Sequence, residues 1–180
     1  ALVAKPAAET PLSALALARL AERAGLPADL FGIILTTNPI EIGQEFTSND
    51  KVRKLTFTGS TNVGRALMRQ GADQIMKLGL ELGGNAPFIV FEDADLDAAV
   101  EGAMVAKFRN NGQTCVCANR FYIQAGVYDI FAEKLAARVS QMKVGDGFED
   151  DVDAGPLIDT KALAKVEAHV SDAVSKGALV

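Results

Sequence analysis

Lys54-Leu-Thr-Phe-Thr-Gly-Ser-Thr-Asn-Val-Gly64 sets the reading of the fold. Its first five residues alternate in polarity, as in a strand with one covered face. Gly59 permits a tight turn, and Ser60 is a helix N-cap residue ahead of a helix expected to reach about Arg69. An apolar strand then returns at Leu78–Leu82. Strand-helix-strand units of this length imply a parallel, doubly wound α/β sheet.

Towards the N-terminus the same alternation continues. Ala1-Leu-Val-Ala4 looks like the end of a strand, and Thr10-Pro11 opens a Leu- and Ala-rich helix over Leu12–Ala24, closed by Gly25 and suited to covering a sheet. Phe31–Leu35 reads as a buried strand and Asn38–Ser48 as a loop with a short helix. After Gly83-Gly84 a second series starts, with a strand at Ala86–Phe91 and Asp93, Asp95 and Asp97 crowding a helix N-terminus, where the helix dipole favours carboxylates. That helix runs through Leu96, Val100 and Ala103 to about Phe108. A strand at Arg120–Gln124, a helix through Val127, Phe131, Leu135 and Val139, an acidic loop over 145–155 and a helix after Pro156 follow. Gly177-Ala-Leu-Val180 reads as a strand that has just begun, so both ends fall inside elements and the chain is expected to be an internal piece of a longer protein. The expected architecture is parts of two doubly wound parallel-sheet domains, residues 1–83 and 84–180.

Composition removes several functions. A net charge of -5 without a basic cluster argues against a nucleic-acid footprint, and no apolar run approaches a bilayer span. Two cysteines one residue apart make no disulfide framework, which favours a reducing compartment, with the cytoplasm as default. The single histidine, His169, falls on the charged face of an amphipathic helix, so imidazole-dependent nucleophiles and a zinc site are both poorly supplied.

Lys107-Phe-Arg-Asn-Asn-Gly-Gln-Thr-Cys-Val-Cys-Ala-Asn-Arg120 carries the chemistry. A thiol is nucleophilic as thiolate and needs a partly exposed, polar or positive setting, which Arg109 and Asn110–Thr114 could give Cys115. Burial is the alternative for any cysteine, and Cys117, nearer the next strand, is expected to be structural. Arg109 could be a helix C-terminal cation or an anchor for a carboxylate ligand. Gly59-Ser60 offers free N–H groups to a pyrophosphate, or is an ordinary capped turn. Glu81, at a strand end before a glycine pair, could be a general base or a solvated charge. Lys5-Pro-Ala-Ala8 could reach a phosphate or ribose, or be a solvated turn.

Taken in order, the Gly59-Ser60 turn, Glu81-Leu-Gly-Gly84 and Gly112-Gln-Thr-Cys115 resemble the aldehyde dehydrogenase superfamily, and the match runs from Lys5 to Ile158. Lys107-Phe-Arg-Asn110 and Gln113–Arg120 are most similar to the succinate-semialdehyde dehydrogenases. The resemblance implies a Rossmann-like cofactor domain and a catalytic domain. It makes Cys115 the nucleophile that forms a thiohemiacetal, from which hydride passes to nicotinamide, and Glu81 the base for thioester hydrolysis. Gly59 and Ser60 then match the pyrophosphate site, Leu82 the nicotinamide site, and Lys5, Pro6, Ala7 and Ala8 the adenosine ribose. Ala8 stands where many NAD-preferring relatives have glutamate, so NADP is expected to be preferred with NAD tolerated. Arg109 would hold a distal substrate carboxylate, with succinate semialdehyde first and glutarate semialdehyde as alternative. Cys117 could pair with Cys115 under oxidation. Asn62, and Thr36-Thr37-Asn38 near the expected adenine site, depart from the common family pattern. A homo-oligomer is expected of the full-length protein, and an inactive nucleotide-binding module of the isolated 180 residues.

Overall fold

A computed structural model describes residues 1–179. The chain divides into two compact units, Ala1–Leu82 and Gly83 onward. In the first, β1 (Leu2–Ala4) is followed by α1 (Pro11–Arg23), β2 (Phe31–Ile33), α2 (Pro39–Ser48), β3 (Lys54–Thr58), α3 (Thr61–Gly71) and β4 (Lys77–Glu81). All pairing is parallel: β1 runs beside β2 from Leu2↔Phe31 to Ala4↔Ile33, and β3 beside β4 from Lys54↔Lys77 to Thr58↔Glu81. These are two separate strand pairs.

Local chemistry explains most of the boundaries. Pro11 starts α1, but the Thr10 side chain makes no capping bond. The helix closes on Ala24, and Gly25 is the next residue, at φ +89°, with its N–H donating to Glu22 O and the Leu26 N–H to Ala21 O. That is a Schellman closure, which needs the left-handed glycine. α1 buries none of its residues, and Leu12, Leu17 and Leu20 are each more than half exposed. Within these residues α1 packs against β2. α2 and α3 are joined through Thr47, whose hydroxyl donates to Gln70 Oε1 on α3 at 3.3 Å and whose carbonyl accepts from Gln74 Nε2, just past α3, at 2.8 Å.

The second unit contains β5 (Ala86–Val90), α4 (Leu96–Phe108), β6 (Ala118–Ile123), α5 (Tyr128–Ser140) and α6 (Thr160–Ser175). β5 and β6 are parallel, with a register shift between Ala86 and Pro87, where proline has no N–H for the ladder. Val90, Val100, Ala103 and Phe131 form the core, flanked by Phe88, Leu96, Phe121 and Leu135. Asp95 caps α4, accepting from the N–H groups of Asp97 and Ala98. Arg138 Nε on α5 meets Glu101 Oε1 on α4 at 2.7 Å, and Lys134 pairs with Asp97.

α6 buries none of its residues, and His169 is exposed there. Gly177, at φ +95°, closes α6, and Ala178 and Leu179 carry no regular structure. The last residue of the strand expected from Gly177, Val180, lies outside the described residues.

Candidate active site

The cysteine loop is built where α4 cannot continue. Asn110, Asn111 and Gly112 have φ of 51°, 57° and 74°, a left-handed run that asparagine and glycine tolerate best. Asn111 Nδ2 donates to Gly155 O at 3.0 Å, which ties the loop to the end of the acidic segment. A second turn follows, closed by the Cys117 N–H donating to Thr114 O at 3.1 Å. Cys115 and Val116 occupy its centre and are exposed, whereas Cys117 is 1% exposed. Both thiols are free.

The start of β5 supports this turn from one side. A Cβ added at Gly84 would lie 2.6 Å from the Cys115 carbonyl oxygen, so only glycine fits beside the peptide of Cys115. Asn119 Nδ2 donates to Gly84 O at 3.4 Å, and Lys107 Nζ donates to Asn119 Oδ1 at 2.8 Å. Arg120 Nε donates to Asn85 O at 2.9 Å. Arg109 is exposed and takes part in no ion pair among the described residues. Its guanidinium is therefore free to meet a carboxylate.

Cys117 is held by more bonds than its neighbour. Its Sγ lies 2.7 Å from Thr114 Oγ1, accepts from the Thr114 N–H at 3.3 Å and donates to Lys107 O at 3.4 Å. Burial pushes this thiol's pKa up. The Thr114 hydroxyl and N–H, with the charges of Lys107 and Arg109, outweigh that and hold it below the ordinary thiol value.

In the first unit, four of the expected residues share one end of the β3–β4 pair. The Gly59 N–H donates to Glu81 O at 3.0 Å, one step beyond the Thr58↔Glu81 pairing. Ser60 Oγ accepts from the Val63 N–H at 3.3 Å and caps α3, whose other first-turn N–H groups have no partner within the helix. Leu82 packs over Gly64, where an added Cβ would lie 2.7 Å from Leu82 Cδ2. This is the carboxyl end of parallel strands, beside a helix N-terminus, where α/β sheets place phosphate-bearing ligands. The residues therefore fit the pyrophosphate of a dinucleotide. Lys5 and Pro6, partly buried, and the exposed Ala7 and Ala8 follow the other pair, at the end of β1, and Lys5 Nζ donates to Pro6 O at 2.5 Å. Among the described residues no cluster of histidine, cysteine or carboxylate side chains could hold a metal.

The family model for the aldehyde dehydrogenase family matches residues 1–180. The chain belongs to the aldehyde dehydrogenase family. It is 64% identical over 179 residues to the glutarate-semialdehyde dehydrogenase of Pseudomonas aeruginosa, covering 99% of this chain and 37% of that protein. It is 63% identical to the succinate-semialdehyde dehydrogenase [NADP(+)] GabD of Escherichia coli, with the same two coverages. The crystal structure of an E. coli NADP-dependent enzyme superposes with a TM-score of 0.94 at 62% identity, over 97% of this chain and 36% of that one. The α/β fold with parallel strand pairs is the fold of this family. The chain spans little more than a third of the length of these relatives.

Loop chemistry that the sequence left unread includes the Gly84 contact, the Thr114–Cys117 bond and the Lys107–Asn119 link. The Asn110-Asn111-Gly112 triplet did carry a signal, since its residues are the ones that accept left-handed backbone.

Proposed function

We propose that the whole protein oxidises a small aldehyde with a distal carboxylate, succinate semialdehyde before all, to the corresponding acid. The observation that supports this most is Cys115 exposed at the centre of a turn braced by Gly84, in a chain so similar to two semialdehyde dehydrogenases. Cys115 Sγ attacks the aldehyde carbon as thiolate, and the oxygen takes up negative charge and a proton. Loss of a hydride from the carbon of this thiohemiacetal, with its hydroxyl proton released to water, leaves a thioester on Cys115. Glu81 removes a proton from water, which adds to the thioester carbon, and the carboxylic acid leaves as Cys115 regains its thiolate. Arg109 holds the substrate's far carboxylate through charge-assisted hydrogen bonds.

The cofactor is NADP, with NAD tolerated. The pyrophosphate lies against Gly59, Ser60 and the N-terminus of α3, the nicotinamide against Leu82, and the adenosine ribose against Lys5–Ala8. Bound there, the dinucleotide supplies the hydride acceptor. Residues 1–83 accordingly belong to the cofactor domain and residues 84–180 to the catalytic domain of a cytoplasmic homo-oligomer. Oxidation of Cys115 with Cys117 by peroxide, two thiols giving one disulfide and two waters, belongs to the same proposal. It fails if Cys117→Ala leaves peroxide inactivation equally reversible by added thiol.

Glutarate semialdehyde is the second reading for substrate, favoured by the P. aeruginosa relative. Measuring kcat/KM of the full-length enzyme for a series of ω-carboxy aldehydes and for butanal separates the readings. A maximum at the four-carbon acid aldehyde supports the first and a five-carbon maximum the second. Equal values for butanal overturn both. The 180 residues alone, spanning 37% of the P. aeruginosa relative, are proposed to bind nucleotide without turnover. NADPH formation by this piece would refute that.

A further inference from the structure

We propose that Cys117 is a positioning residue whose side-chain bonds to Thr114 and Lys107 fix the turn that presents Cys115. The inference rests on Cys115 being the nucleophile. Residue 115 itself is exposed, so side-chain packing gives its turn little support. Three other features give it shape. The Cys117 N–H closes the turn on Thr114 O at 3.1 Å. The Cys117 side chain meets both the hydroxyl and the N–H of Thr114, at 2.7 and 3.3 Å. It then reaches Lys107 O at 3.4 Å, the carbonyl in the last turn of α4.

One atom consequently joins the end of α4 to the residue immediately before the nucleophile. Its hydrogen-bonding capacity matches the partners: the S–H donates to Lys107 O, and the sulfur accepts from the Thr114 N–H and hydroxyl. Removing the sulfur leaves the partly buried Thr114 N–H without this acceptor, and the turn can rotate to find water. The cost falls on Cys115, which moves with it. Burial at 1% exposure keeps water from replacing the thiol in the native arrangement.

The experiment uses the full-length enzyme and three variants, Cys117→Ala, Cys117→Ser and Thr114→Val. Two readouts are taken: kcat and KM with succinate semialdehyde and NADP, and the rate at which iodoacetamide alkylates Cys115, followed by peptide mass spectrometry. Cys117→Ala should lower kcat and the alkylation rate by roughly tenfold, about the effect of one lost hydrogen bond, with KM for NADP unchanged. Cys117→Ser, which keeps one donor and two acceptor positions, should recover to within about threefold of the parent. Thr114→Val combined with Cys117→Ala should cost no more than Cys117→Ala alone, since both remove one shared contact.

Equal alkylation of Cys115 in the parent and Cys117→Ala overturns the proposal, as does a serine variant as impaired as the alanine one. Should Cys117→Ala fold poorly, the comparison of the serine variant with Thr114→Val at matched melting temperature still decides it. Alkylation needs no aldehyde turnover. Failure of the parent to oxidise succinate semialdehyde would therefore refute the proposed function while leaving this test intact.

Discussion

Gly84→Ala probes the brace behind Cys115, the proposed nucleophile. The added Cβ would sit 2.6 Å from the Cys115 carbonyl oxygen, and real Cβ atoms essentially never come within 3.0 Å of a neighbour. The contact must therefore open by at least 0.4 Å. Neither side yields easily, since the oxygen belongs to the main chain of the Thr114–Cys117 turn and Gly84 leads directly into β5. Forced overpacking of this kind costs about 1–3 kcal/mol. Misplacing a catalytic group by 1 Å can cost about a hundredfold in rate, so a shift near half that size should lower kcat roughly tenfold. The assay is steady-state kinetics on the full-length enzyme, with the alkylation rate of Cys115 and the melting temperature measured beside it. Gly83→Ala is the control, because an added Cβ there meets nothing within 4 Å. It should leave the melting temperature and the alkylation rate near the parent values. A Gly84→Ala enzyme with kcat within about twofold of the parent and the same melting temperature would refute the reasoning, as would equal damage from Gly83→Ala.

Arg109→Ala should lower kcat/KM for succinate semialdehyde by about 10- to 100-fold through loss of charged hydrogen bonds, mainly by raising KM, with butanal little affected. An equal loss for both aldehydes would make Arg109 structural. Ala8→Glu should weaken NADP by tenfold or more, roughly the effect of a carboxylate set against a 2′-phosphate, and strengthen NAD by offering an acceptor to the ribose hydroxyls. Unchanged KM values for both cofactors would remove Ala8 from the ribose site. Asp95→Ala removes the acceptor of two N–H bonds, at 3.0 and 3.1 Å, from the first turn of α4. It should cost about 1 kcal/mol of stability, read from the shift in a denaturant midpoint, and a midpoint unchanged within error would contradict the capping account.

The sheet-forming strands were legible because their polarity alternates at short range. Lys54–Thr58, the turn at Gly59-Ser60 and the helix after Asp95 stand where the sequence places them, and the partner strand, Lys77–Glu81, begins and ends one residue earlier than expected. The exposure of Cys115 and the burial of Cys117 followed from polar residues before the first and the strand after the second. Long-range packing was less legible. Which strand α1 packs against is not recorded by any pattern within Leu12–Ala24. Gly84 looked like part of a turn. Its need for close approach to Cys115 joins residues thirty-one apart and becomes visible only with coordinates.

Cys115 is proposed to carry the acyl group and Glu81 to release it. The direct measurement is to mix the full-length Glu81→Gln enzyme with succinate semialdehyde and NADP, quench it within the first turnover and map the modified peptide by mass spectrometry. The account predicts a burst of about one NADPH per active site, followed by slow turnover, with a succinyl thioester on Cys115. NADPH formed at the parent's steady rate with the Cys115 peptide unmodified would contradict it.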